Sequence, residues 1–144
     1  MSELVQLTKE EASEQAVSDI NKLLPQLSEK IPPITLERLK NITGEWSVEL
    51  WVARDDNRIV GIATLVILVV PEGIKGRIED VVVDQSERGK GLGSSLMKKL
   101  FERAKIRGAN ALELSSRAKR TEANKLYEKM GMEKAETNVY RLKL

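Results

Sequence analysis

Neither cysteine nor histidine occurs in this chain of 144 residues. The two absences exclude more chemistry than most motifs supply. Without thiols there is no disulfide framework and no cysteine nucleophile; without imidazole there is no Ser-His-Asp triad, no histidine base and none of the usual zinc ligand sets. Acid–base work falls to Asp, Glu, Tyr, Lys or water. Aromatic residues are scarce as well, with Trp 2, Tyr 2 and Phe 1. The longest apolar stretch, Ile62 to Val70, is roughly half of the ~20 residues a membrane helix needs, and its β-branched content reads as a buried strand. No charge of one sign dominates: Lys and Arg total 24 against 22 for Asp and Glu, a net charge of +2 that is too mild for a nucleic-acid footprint. Met1-Ser2-Glu3 opens no signal-peptide pattern. These absences predict a cytoplasmic protein with no membrane segment, no nucleic-acid partner and no metal.

What is present fits one globular domain spanning residues 1–144, with 41% apolar and 32% charged residues. Leu4 to Leu7 predicts a short strand, followed by a helix to about Leu24, with Pro25, Pro32 and Pro33 breaking the chain. Ile34 to Ile42 predicts a second helix before Gly44. Glu49 to Arg54 and Ile59 to Val70 read as strands joined at Asp55-Asp56-Asn57, and Arg77 to Val83 as the next strand. Leu92, Leu96, Met97, Leu100, Phe101 and Ala104 give a helix an apolar face ending near Gly108. Ala111 to Ser115 predicts another strand, Thr121 to Met130 a last helix, and Glu133 to Leu144 a final hairpin. This alternation makes a mixed α/β domain with helices on both faces of a central sheet.

The densest signal is Val81-Val82-Val83-Asp84-Gln85-Ser86-Glu87-Arg88-Gly89-Lys90-Gly91-Leu92-Gly93-Ser94. A β-branched strand breaks into a cationic glycine loop that opens a helix. Glycines let backbone approach a ligand without Cβ interference, and the N–H groups of a helix N-terminus offer donors and positive potential to a phosphate. The strict alternation of Gly89, Gly91 and Gly93 fits neither a Walker loop nor the G-x-G-x-x-G dinucleotide fingerprint.

Arg88-x-x-Gly91-x-Gly93 resembles the pyrophosphate loop (R/Q-x-x-G-x-G/A) of the GNAT superfamily of acyl-CoA-dependent N-acyltransferases. Downstream, Ala123, Leu126, Tyr127 and Met130 fall at helical spacing, with Thr121 as N-cap and Gly131 as the C′ residue. That segment resembles the family's A-x-x-x-Y-x-x-x-G-F helix, and the likeness covers Trp51 to Leu144. There are departures. Asp84-Gln85 stands where the family often has proline, Met132 where it has Phe, and Arg120 where an Asn is frequent.

The resemblance implies an α/β (α+β mixed sheet) GNAT fold, its mostly antiparallel central sheet splayed at the acyl-CoA site. It also implies an acetyl-CoA-dependent N-acetyltransferase working by direct transfer to an amine. The backbone of Arg88, Gly89, Lys90, Gly91, Leu92, Gly93 and Ser94 is expected to hold the pyrophosphate. Val81, Val82 and Val83 would lie along the pantetheine arm, and Asn124 would add a hydrogen bond. Tyr127 is the expected general acid and Glu79 the base, with Asp80 in reserve. Ile78 to Val83 also resembles the corresponding strand of glucosamine-6-phosphate N-acetyltransferases, too short a likeness to carry a substrate. The acceptor is left open between a small-molecule amine and a protein amine, as is a homodimer. A non-catalytic acyl-CoA-binding module is the competing reading. Trp46 and Trp51 are expected to be buried or to line the acceptor side.

Overall fold

The structure, a computed structural model, describes residues 2–144. Period-two apolar segments form β2 (Val48–Asp55) and β3 (Arg58–Val70), joined by a turn in which Asp56 and Asn57 take φ of 48° and 65°. Short polar side chains tolerate that left-handed region best among non-glycine residues. β1 (Glu3–Gln6) pairs antiparallel with β2, and β4 (Gly73–Val83) pairs antiparallel with β3. β5 (Ala111–Glu113) lies parallel to β4, completing the order β1-β2-β3-β4-β5. The sheet is open, mixed and mostly antiparallel, as expected.

Helix α1 (Glu14–Leu27) starts at Ser13, whose hydroxyl accepts the Ala16 N–H at 3.1 Å. Helix α2 (Leu36–Gly44) starts at Thr35 with the same contact from the Arg38 N–H at 3.1 Å. Each cap contributes about 1 kcal/mol. On one face of the sheet, Ala16, Val17, Ile20, Leu23 and Leu24 of α1 and Leu39 of α2 pack on Leu50, Val52, Ile59, Ile62 and Val82. A fully buried aliphatic side chain contributes roughly 1.5–3 kcal/mol, so this cluster dominates stability on that side. Helix α3 (Leu92–Ile106) covers the other face with Leu96, Met97, Leu100 and Ala104 buried. A side chain at Gly61 would meet Leu96 there, and one at Gly76 would meet Leu112, Leu65 and Ala104.

Beneath α3, β2 carries a buried carboxylate. Glu49 accepts from Arg103 Nε at 2.8 Å, from Arg107 at 2.6 Å and from the Trp51 indole N–H at 2.9 Å. Burial pushes its pKa up, but hydrogen bonds from Arg103, Trp51 and Arg107, with the Arg103 charge, bring it down to about 2. Arg107 lies over the Trp46 ring at 4.8 Å and Lys99 over Trp51 at 5.2 Å. Trp46 is 69% exposed, so the expectation of burial fails there: its ring caps a guanidinium at the surface.

The chain divides into two compact units, one ending at Leu114 and one running from Ser115 to Leu144. The second contains α4 (Thr121–Lys129). No helix among the described residues is long and apolar enough to cross a membrane.

Four expectations are corrected. Pro25 lies inside α1, which runs on only two residues further to Leu27, so the proline disturbs the last turn and not the body of the helix. Arg120, not Thr121, is the cap of α4, because the first helical bond runs from the Asn124 N–H to Arg120 O at 3.0 Å. β5 stops at Glu113 instead of Ser115. Residues 133–144 form no hairpin and are exposed throughout; the segment lacks the Asn-Gly or Asp-Gly pair that a tight hairpin favours.

Candidate active site

β4 has two neighbours for only part of its length. β5 pairs with Lys75, Gly76 and Arg77 and then ends, so from Ile78 to Val83 no strand lies on that side among the described residues. On the β3 side the register passes from Thr64↔Glu79 to Ile62↔Val82, leaving Asp80 and Val81 together opposite Ala63. This is a β-bulge, and Asp80 sits in it at φ 48°. A left-handed non-glycine residue costs on the order of 1 kcal/mol.

The bulge changes which face each side chain takes. Ile78 lies across from Leu65 on the α3 side, whereas Val82, four residues on, joins the α1 cluster. An unbroken two-residue period would have put both on one face. The same break interrupts the two-residue alternation that would send Glu79 and Asp80 to opposite faces. Both are exposed, at the point where the edge of β4 opens. Glu79 accepts from Arg77 Nε at 3.1 Å. The Asp80 carboxyl is held above the ordinary aspartate range, by desolvation first and by the Glu79 charge second.

Beyond Val83 the chain makes a 3₁₀ turn at Gln85–Glu87 and then the glycine loop. Gly89 and Gly91 adopt φ of 82° and 81°, and nothing lies within 4 Å of where either Cβ would be. The loop thus presents bare backbone to open space, as a bulky anion requires. Gly91 caps α3 without a side-chain hydrogen bond, and the first helical bond is Ser95 N–H to Gly91 O at 3.0 Å. The N–H groups of Leu92, Gly93 and Ser94 precede that bond and lie at the positive end of the helix dipole. Lys90 pairs with Glu87 at 3.1 Å, and Arg88 Nε reaches Val83 O at 3.3 Å. The arginine therefore already contacts one of the strand carbonyls expected to face a ligand.

In the second unit Tyr127 is buried on α4. Gly131, at φ 95°, closes the helix: its N–H bonds Glu128 O at 3.0 Å while Met132 N–H bonds Tyr127 O at 3.0 Å. That is a Schellman motif, and Gly131 is the C′ residue the sequence indicated. Asn124 Nδ2 donates to Arg117 O at 3.0 Å, tying α4 to the loop before it. Ser116 Oγ is buried without a hydrogen-bond partner among the described residues.

Sequence reasoning singled out the loop, Glu79 and Asp80 but not the bulge. One signal was available: an aspartate at the position where strand alternation demands an apolar partner for Ile78 and Val82.

The chain as a whole resembles known proteins. The family model described as acetyltransferase (GNAT) family matches residues 7–132. A glucosamine 6-phosphate N-acetyltransferase from Trypanosoma brucei brucei is 33% identical over 141 residues, covering 91% of this chain and 92% of the relative. A solved Trypanosoma brucei acetyltransferase matches with a TM-score of 0.80 at 34% identity, over 100% of both chains. The glucosamine-6-phosphate N-acetyltransferase structure from Arabidopsis thaliana gives a TM-score of 0.80 at 24% identity, over 99% of this chain and 98% of that one, a likeness of fold. A match of that length, joined to a relative of that identity, makes this chain a member of the GNAT family and so an acetyltransferase.

Proposed function

We propose that residues 1–144 form one cytoplasmic acetyltransferase domain that moves an acetyl group from acetyl-CoA to the primary amine of a small molecule, by direct attack in a ternary complex. The observation that carries this reading is the open edge of β4 from the Asp80 bulge to the loop at Gly89 and Gly91. Bare backbone and a helix N-terminus suit a pyrophosphate, and an unpartnered strand edge suits an amide-bearing arm added like a further strand. The donor acyl group would then lie near the bulge, beside Glu79 and Asp80.

Chemistry at that point needs three services. An ammonium has no lone pair, so a base must take its proton. Asp80 fits that task better than Glu79, because Arg77 already donates to Glu79 at 3.1 Å while desolvation favours a protonatable Asp80. The oxyanion formed on attack needs donors, which a strand N–H at Val81 or Val82 supplies. The departing thiolate needs a proton, and the Tyr127 phenol is assigned to it from the family resemblance.

For the acceptor, the relative that is 33% identical is named for glucosamine 6-phosphate. An amino sugar phosphate is therefore the first candidate, ahead of polyamines, amino acids and peptides. The test is CoA release from acetyl-CoA over a panel of these amines. Turnover with amino sugars supports the reading; CoA affinity without thiol release for any amine would leave an acyl-CoA-binding module instead.

A further inference from the structure

The start of the glycine loop is held from a distance by one side chain of α1. Gln26 Nε2 donates to Asp84 Oδ1 at 2.7 Å and to Lys22 O at 3.1 Å, and Gln26 Oε1 accepts the Gln85 N–H at 2.9 Å. One amide thereby uses its donors and its acceptor, joining the last turn of α1 to residues 58 and 59 positions later. Asp84 is fixed on every other side. Its N–H bonds Val60 O at 2.8 Å, its carbonyl accepts the Glu87 N–H at 2.9 Å, and its second carboxylate oxygen accepts the Ser86 hydroxyl.

These contacts sit at the hinge where β4 stops and the loop begins. Asp84 has φ −53° and ψ 138°, and Gln85 opens the 3₁₀ turn. Past Gln85 the loop has few restraints of its own: Lys90 to Glu87 and Arg88 to Val83 O are exposed contacts, and Gly89 and Gly91 add no side chains. A glycine loop gives up more conformational entropy on ordering than any other, so whatever fixes its entry direction lowers the cost of binding there.

We propose that Gln26 is a positioning residue for the donor loop: by clamping Asp84 and Gln85 it fixes the direction in which Arg88 to Ser94 leaves the sheet, before any ligand arrives. This rests on reading that loop as the pyrophosphate site. The clamp does with a tertiary hydrogen bond what a proline at position 85 does covalently. Asp84 already has a ψ of 138°, away from the α region that a following proline disfavours, and a helical turn accepts proline at its first position. Proline there has no N–H to be satisfied, so it makes Gln26 dispensable for entry geometry.

The experiment compares wild type, Gln26→Ala, Gln85→Pro and the double variant by three measurements. These are amide hydrogen exchange of residues 86–95 without ligand, CoA affinity by calorimetry, and melting temperature. Gln26→Ala should speed exchange through Arg88 to Ser94 and weaken CoA binding about five- to thirty-fold, the equivalent of one or two lost hydrogen bonds, with kcat at saturation preserved. Gln85→Pro alone should leave both within about two-fold, and the double variant should recover most of the affinity. A Gln26→Ala protein that melts lower yet keeps wild-type exchange and affinity overturns the proposal, as does a double variant no better than Gln26→Ala. If Gln26→Ala does not fold, faster loop exchange in Gln85→Pro alone overturns it. Because exchange is read without ligand, a wild type that bound no CoA would sink the pyrophosphate reading while the exchange data still decide on the clamp.

Discussion

Arg103 grips Glu49 with two nitrogens, Nε on Oε1 at 2.8 Å and a terminal nitrogen on Oε2 at 3.0 Å. The carboxylate is 2% exposed, so it depends wholly on protein partners. Breaking a buried pair typically costs about 3–5 kcal/mol. Arg103 and Arg107 keep side-chain exposures of 26% and 17%, which lets water take over part of their solvation and places Glu49→Gln near the lower end. Urea denaturation at neutral pH checks it; an unchanged midpoint would show that the pair contributes nothing.

The same carboxylate sets a pH dependence. Its pKa falls from 4.5 to about 2 on folding. Between those values the unfolded chain binds the proton and the folded one does not, so stability is fully present above about 4.5 and is lost as pH falls toward about 2. The difference corresponds to roughly 3 kcal/mol. Asp19 acts in the same direction: burial raises its pKa, but the Arg58 contact and the Ile59 N–H bring it below its usual value. Denaturation midpoints across pH 2 to 7 in wild type and Glu49→Gln should converge at the acid end.

If Asp80 takes the amine proton, Asp80→Asn should lower kcat/KM by about 10²- to 10⁴-fold. Asparagine tolerates a left-handed φ, so the bulge should survive and the loss should report the charge alone. Glu79→Gln should cost much less. The acid limb of the wild-type pH–rate profile should lie above the ordinary aspartate range, because desolvation and Glu79 both raise Asp80. Equal losses at the two positions would leave Asp80 with no special claim to the base role.

Gly91→Ala separates strain from collision. Nothing lies within 4 Å of its Cβ position, yet φ is 81°. The substitution should destabilise the protein by about 1–2 kcal/mol through backbone strain and weaken CoA binding with it. Calorimetry and thermal melts measure both; a variant with wild-type affinity would show that the loop need not hold this conformation.

Tyr127→Phe keeps the buried ring and removes only the hydroxyl. A general-acid role predicts a lower kcat with CoA affinity unchanged, read from steady-state kinetics beside calorimetry. Loss of affinity or of melting temperature alone would reassign Tyr127 to packing.

Local features were legible in the sequence to the extent that they are set by nearest neighbours. Val81 to Ser94 announced strand, loop and helix because each step is dictated by residue type: β-branched side chains, then φ-permissive glycines, then a period of 3.6. Gly131 was equally local. Asp80 was not, since a bulge is one residue of register between two strands and only the partner strand defines it. The Gln26 contact was hidden for a related reason, with 58 positions between its ends. The exposed segment 133–144 failed in the opposite sense. Its alternating Tyr140, Leu142 and Leu144 have the period of a strand, but a period forms no strand without a partner to bond.

A strand edge left open is a hazard as well as an opportunity, because any extended chain can add to it. The bulge at Asp80 limits that hazard. It breaks the even spacing of backbone donors and acceptors that a passing peptide would need in order to pair, and it sets Glu79 and Asp80, two like charges, at the break. A slender arm with a few amides can still settle along the remaining groups. On the proposed reading, the irregularity beside the small-molecule site would also hinder pairing between copies of this protein through the same edge.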